Sequence, residues 1–136
     1  MMSANVMFDL DVVDWSTKAR SAGHLVYAAG VATLGLLLVI FGVVRSGRAS
    51  AAAFSVGGYI AGAYYFTSST SFANPAVTIA RTFSDTFAGI EPASMPAFVV
   101  AQLVAAGLAV ALIRVIYPDA ADVADRVVVP RERTEV

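Results

Sequence analysis

Apolar positions gather into three long blocks separated by polar stretches. From Gly23 to Val44 the only ionisable side chain is His24, at the very start. The run GVATLGLLLVIFGVV inside this block is uniformly apolar. A bilayer crossing needs about 20 such residues, and Arg45 and Arg48 end the block as headgroup-level cations do. The second block, Ala51 to Phe66, is shorter and rich in small residues. Its Gly58 and Gly62 form a GxxxG pair, which permits close helix contact in lipid. Tyr59, Tyr64 and Tyr65 suit a helix near an interface or a polar interior. The third block, Ala97 to Ile116, follows Pro96, carries Gln102, ends on Arg114 and Tyr117, and is closed by Pro118. The pattern predicts three membrane-crossing helices.

Between the second and third blocks lies TSSTSFANPAVTIARTFSDTFAGIEP, too polar to cross a bilayer alone. Its centre predicts a helix from Pro75 to Phe87. Asn74 is the N-cap, Pro75 the first helical residue, and Gly89 the stop signal. A short helix entered through a Ser/Thr-rich extended stretch predicts a re-entrant half-helix. Irregular backbone at membrane depth is tolerated only where protein buries it or a water-filled cavity bathes it. Residues 1–22 form a polar N-terminal segment. Asp9, Asp11, Asp14, Lys18 and Arg20 make it neither a signal peptide nor a crossing helix. Residues 23–117 are the membrane domain, and 118–136 a polar tail.

Composition sharpens this picture. Of 136 residues, 58% are hydrophobic and 14% charged, against about 45–50% and about 25% in soluble domains. Between residues 21 and 118 the charged side chains are Arg45, Arg48, Arg81, Asp85, Glu91 and Arg114 alone. A net charge of −1 with no basic face excludes a nucleic-acid partner, and zero cysteines exclude disulfide or thiolate chemistry. No Ser/His/acid set, phosphate-cradling loop or paired-carboxylate site is present, so an enzyme is not expected. Asp9, Asp11 and Asp14 lack the glycine and distal glutamate of a calcium loop, and no metal or cofactor is expected. Arg45, Arg48, Arg114, Arg126, Arg131 and Arg133 fall on one side of the predicted spans. Lys18, Arg20 and Arg81 fall on the other. The positive-inside rule then predicts a multi-pass protein of the cell (inner or plasma) membrane, N-terminus outside and C-terminus cytoplasmic.

The candidate chemistry centres on Asn74-Pro75-Ala76. An N-cap asparagine is held through its side-chain oxygen by helix-end amides, which leaves its NH2 free to donate to a passing oxygen. The aligned peptides behind it place a positive end at mid-membrane, which disfavours cations. The carbonyls of Thr67 to Ala73 supply acceptors along the same wall.

This motif between these blocks, from about Thr33 to Pro118, resembles the second repeat of the aquaporin (major intrinsic protein) family. NPAVTIARTFSDTFAGI is similar to the second NPA loop of a bacterial branch. The resemblance implies an all-α membrane protein of three transmembrane helices plus one re-entrant NPA half-helix, half of the aquaporin fold. It places the selectivity constriction at Gly62, Ser71 and Val77. Val77 stands where family members usually carry an arginine, so the constriction is wide and uncharged. That suits glycerol-like neutral solutes or undissociated metalloid acids more than water alone. Arg81 has two readings: a displaced filter arginine, or an interfacial arginine paired with Asp85 at i, i+4. Matched on Thr33, the family's glutamate that accepts hydrogen bonds from the loop backbone is Ala29 here. The loop donors therefore need other partners.

Three spans cannot enclose a pore, so the resemblance implies a half-channel that needs a partner. That partner is either a second copy (a homo-oligomer) or a separately encoded first-repeat half. The expected partners are thus a lipid bilayer, a small neutral solute and the missing half. Two alternatives stand beside the channel subunit: a non-conducting fragment acting as a membrane interaction protein, and a small transporter half-domain, since broken helices also bind substrates in transporters.

Overall fold

Helices are the regular elements among residues 2–119, the part of the chain that the computed structural model describes. They are α1 (Met2–Met7), α2 (Gly23–Arg45), α3 (Ala52–Phe66), α4 (Pro75–Ala80) and α5 (Met95–Ile116). Single 3-10 turns precede α3 (Ala49–Ala51) and follow α4 (Arg81–Phe83). The polar tail beyond Asp119 lies outside the described residues.

α2 and α5 contain 23 and 22 residues, with a mean hydropathy of 2.3 in each. At 1.5 Å per residue either can cross a hydrocarbon core of about 30 Å. α3 has 15 residues and covers about 22 Å. Two helices, rather than the three predicted, therefore meet the length of a bilayer crossing among the described residues.

α2 and α5 lie side by side and run the same way. Arg20, before α2, donates its backbone N–H to the Ser94 hydroxyl just before α5. At the other end, Arg45 meets Asp119 just past α5. The inward-facing residues are Ala28, Ala29, Ala32, Thr33 and Leu36 on α2 and Phe98, Gln102, Ala105 and Ala109 on α5. These steps of three and four residues keep one stripe of each helix turned inward. Small residues let the backbones approach: a Cβ on Gly30 would stand 3.8 Å from the Ala101 carbonyl oxygen. Away from these stripes Val100 and Leu103 are exposed, which costs nothing against lipid.

α3 packs on another side of α2. The Tyr59 hydroxyl donates to the Ala32 carbonyl at 2.9 Å. Gly35 makes room for this bond, because a Cβ there would displace the Tyr59 phenol. Two clusters stack along the bundle. Ala29, Phe72, Ile90 and Phe98 form one, and Ala32, Leu36 and Ala73 with Tyr59 and Ile60 form the other. Phe72 and Ala73 are consecutive residues of the loop between α3 and α4, and each enters a different cluster. This pins the irregular loop to the bundle.

Candidate functional site at the half-helix

Asn74 caps α4 in an extended conformation (φ −150°, ψ 126°), and its Oδ1 accepts from the Ala76 N–H at 2.8 Å. Pro75 opens the helix without forfeiting a hydrogen bond, since the first N–H groups of a helix have no internal partner. The Asn74 side chain is exposed, and its amide NH2 bonds to none of the described residues. Behind it runs a buried relay from α5. Gln102 Nε2 donates to Thr78 Oγ1 at 2.8 Å. The Thr78 hydroxyl has one proton, which then goes to the Asn74 carbonyl at 3.0 Å. Gln102 and Thr78 are fully buried, so the relay fixes the backbone that carries Asn74. The sequence held a signal for it: Gln102 is the one amide inside an otherwise apolar helix.

The half-helix is shorter than predicted. Helical geometry stops at Phe83, and Ser84 is extended (φ −150°, ψ 119°) instead of continuing to Phe87. The reason lies in residues 1–22. The Thr82 carbonyl accepts from the Ser16 N–H at 3.0 Å, and the Phe83 carbonyl accepts from the Asp14 N–H at 3.3 Å and Asn5 Nδ2 at 2.9 Å. Carbonyls taken by this strap are not available to a further helical turn. Ser84 donates to Asn5 Oδ1 at 2.6 Å, and Trp15 packs on Phe83 with ring centroids 5.0 Å apart. Gly89 is a close-approach position rather than a helix stop, since a Cβ there would overlap Ser16 and the Ser84 carbonyl.

Asp85 belongs to the strap as well. Its carboxylate accepts from the Thr17 hydroxyl at 2.9 Å, the Thr17 N–H at 3.1 Å and the Ser16 hydroxyl at 3.3 Å. The Thr17 bonds, chiefly that of its hydroxyl, hold the Asp85 carboxyl below the usual carboxylate range. The i, i+4 pair between Arg81 and Asp85 is therefore not formed. A 3-10 turn at Arg81 advances the chain about 120° per residue rather than 100°, and each side chain finds partners elsewhere.

Arg81 folds back toward α3. Its Nη1 donates to the Thr70 carbonyl at 3.0 Å and its Nη2 to the Tyr64 hydroxyl at 2.7 Å. Its Cζ lies 4.4 Å from the centroid of the Phe72 ring. The residue is 5% exposed, and no carboxylate pairs with it among the described residues. Thr70 and Ser71 both adopt the left-handed conformation (φ 57° and 60°), which is uncommon for non-glycine residues and worth about 1–3 kcal/mol of strain each. That turn aims the Thr70 carbonyl at Arg81. Four buried side-chain polar atoms lack a protein partner among the described residues, and three of them are here: Thr70 Oγ1, Ser71 Oγ and Arg81 Nε.

The other candidate constriction residues spread around this point. Ser71 is buried beside Thr70. Val77 is 40% exposed, on the same open side of α4 as Asn74 and Ala76. Gly62 lies two residues before Tyr64 on α3, with the Phe66 ring 3.7 Å from where its Cβ would stand. Arg81 brings the neighbours of Gly62 and Ser71 together through Tyr64 and Thr70.

Ala29 is fully buried in the Phe72 cluster. One loop donor finds a partner inside the loop itself: Thr67 Oγ1 accepts from the Ser71 N–H at 3.1 Å. Sequence reasoning gave the Thr67–Ala73 stretch carbonyl acceptors and Tyr64 a polar or interfacial setting. It missed that the Thr70 carbonyl, the Tyr64 hydroxyl and the Phe72 ring converge on Arg81 and that the Thr67 hydroxyl accepts from the loop, because none is unusual for its local segment.

Two long apolar helices, a loop pinned between them and an asparagine-capped half-helix define a helical membrane protein. No family model and no solved structure matches the chain. It is 48% identical over 111 residues to the aquaglyceroporin AqpS of Rhizobium meliloti (strain 1021). That match covers 82% of this chain and 47% of the relative, so the chain spans about half its length. The chain belongs to the aquaporin (major intrinsic protein) family.

Proposed function

We propose that this chain forms one wall of an aquaporin-like pore for passive permeation of small neutral solutes, glycerol-like polyols or undissociated metalloid acids among them. In this reading α2, α3 and α5 cross the membrane, α4 re-enters it, and the N-terminus lies outside. The observation that carries the reading is Asn74: an exposed carboxamide whose oxygen is locked by its own helix while its NH2 stays free to donate. Beside it, Thr70 Oγ1, Ser71 Oγ and Arg81 Nε are buried polar atoms with no protein partner among the described residues, which fits a wall that is completed by water or by the opposing half of a pore. The identity to an aquaglyceroporin supports the solute class. The Arg81 charge supports cation exclusion. It is the larger field here, because only the six residues of α4 and one 3-10 turn stand behind Asn74. Val77 and Gly62 keep the constriction wide and uncharged.

Asn74, Ala76 and Val77 face outward from the described bundle. A closed pore then requires a complementary repeat opposite them, either a second copy or a first-repeat half. The test is stopped-flow glycerol and water permeability of proteoliposomes, paired with cross-linking to identify the assembly that conducts. Flux linear in the gradient and lost in Asn74→Asp supports the pore. Saturable, ion-coupled uptake would assign a transporter half instead. Permeability equal to empty vesicles in every assembly of folded chain would leave a membrane interaction protein.

A further inference from the structure

Phe72 is fully buried, yet two arginines approach its ring: Arg81 Cζ at 4.4 Å from the centroid and Arg20 Cζ at 5.2 Å. Both distances fall within the reach of cation–π attraction. They also keep the two guanidiniums within roughly a Debye length, about 8–10 Å in physiological salt. No carboxylate pairs with either among the described residues, so the repulsion between them is not cancelled.

The two arginines are held differently. The Arg20 guanidinium is anchored to two backbone carbonyls, and its own backbone is tied to a side chain. Its Nε donates to the Gly89 carbonyl at 2.7 Å, its Nη2 to the Phe87 carbonyl at 3.0 Å, and its own N–H to the Ser94 hydroxyl at 3.1 Å. The Gly89 carbonyl is itself fixed, because that residue fits against Ser16 and Ser84 only as glycine. Arg81 is held at two points, one of them the rotatable Tyr64 hydroxyl, and its Nε has no partner. Two backbone carbonyls thus hold the Arg20 guanidinium, against one carbonyl and one rotatable hydroxyl for Arg81.

We infer that Arg20 is a positioning residue for Arg81: its fixed charge at the shared Phe72 ring holds the Arg81 guanidinium out against the Tyr64 hydroxyl and the Thr70 carbonyl. The N-terminal segment thereby places the filter cation of the half-helix. The inference rests on the reading of Arg81 as that cation only for its functional consequence, since the displacement itself is measurable without flux.

The test uses the full chain, labelled with 13Cζ-tyrosine, in lipid nanodiscs. Tyr64→Phe assigns the Tyr64 resonance, and Tyr59, bound to the Ala32 carbonyl, reports an intact bundle. Arg20→Gln is expected to move the Tyr64 signal at least halfway to its position in Arg81→Gln, with Tyr59 unmoved. Arg20→Lys retains charge and should stay near wild type. Phe72→Leu removes the shared ring at similar volume and should move Tyr64 as Arg20→Gln does, an independent route if Arg20→Gln does not fold. A Tyr64 signal unmoved in Arg20→Gln or Phe72→Leu, a joint shift of Tyr59 and Tyr64, or Arg20→Lys matching Arg20→Gln would each overturn the inference. Flux through Arg81→Ala separates the two readings. A moved Tyr64 signal with unaltered selectivity sinks the filter role alone, and altered selectivity with an unmoved signal sinks the positioning alone.

Discussion

Arg45 and Arg81 use the same local device at opposite ends of the bundle, and the difference between them is charge balance. Arg45, at the end of α2, lies over the Tyr117 ring at 4.5 Å and pairs with Asp119 at 2.9 Å. Arg81 lies over the Phe72 ring at 4.4 Å, but carbonyl and hydroxyl oxygens replace the carboxylate. Neutral acceptors satisfy the donors of a buried arginine without cancelling its charge. A fold that needed only to tie its helices together is served by the Arg45 arrangement. A buried, uncompensated cation costs more, and the proposed pore gives it a use, since its field would reject cations at the mouth.

The sharpest way to break the comparison is to remove each arginine in turn. Arg81→Ala is expected to raise cation permeability through the conducting assembly about tenfold or more. A unit charge about 8 Å from a passing ion at an effective dielectric near 20 is worth about 2 kcal/mol. Reversal-potential measurements read this directly, and Arg45→Ala should leave the potential unchanged.

Next in size is the Gln102 relay, which the Arg45 end lacks. Gln102→Leu removes the donor to Thr78 and is expected to cost about 1–2 kcal/mol in denaturant unfolding. Glycerol flux should fall with it, because the Asn74 backbone loses its support. Unchanged stability and unchanged flux together would mean that the relay does not hold the site.

A smaller effect is expected from Asp119→Asn. The pair faces solvent, where screening leaves an ion pair little weight in stability. Thermal unfolding should shift little and solute flux not at all; a loss of flux would show that the two ends are not independent.

The smallest effect concerns pH. The Asp85 carboxyl is held below its unfolded value, so its clasp on Thr17 is fully present above the ordinary aspartate range, about 4, and is lost as pH falls through the depressed folded value. Hydrogen exchange at the Thr17 amide should therefore stay constant from neutral pH down to about 4, after allowance for intrinsic rates, and quicken only below. Thr17→Val should raise the pH at which exchange quickens; an acceleration of the wild-type amide near pH 6 would assign the clasp to another group.

Much of this architecture was legible in local pattern. The three apolar blocks, the Asn74 cap, the Pro75 start and the resemblance to the aquaporin family all rest on adjacent residues. Periodicity and capping chemistry operate within a helical turn or two. The half-helix ended early because its last carbonyls are taken by Ser16, Asp14 and Asn5, more than sixty residues away in the chain. No local signal encodes that competition. Arg81 shows the same limit. Sequence spacing offered Asp85 as its partner, and the 3-10 turn with the left-handed Thr70–Ser71 pair gave it Tyr64, Thr70 and Phe72 instead.

By itself, the sequence determined that this is a helical membrane protein with a short asparagine-capped helix between its second and third apolar blocks, because hydrophobic blocks and caps are short-range properties. Tertiary structure alone decided which atoms of that half-helix are free and which are taken. Hydrogen-bond satisfaction is settled across the whole bundle: α5 supplies the Gln102 relay, the N-terminal strap claims the last carbonyls, the Asn74 NH2 is left exposed, and Ser71 Oγ and Arg81 Nε are buried without a protein partner among the described residues.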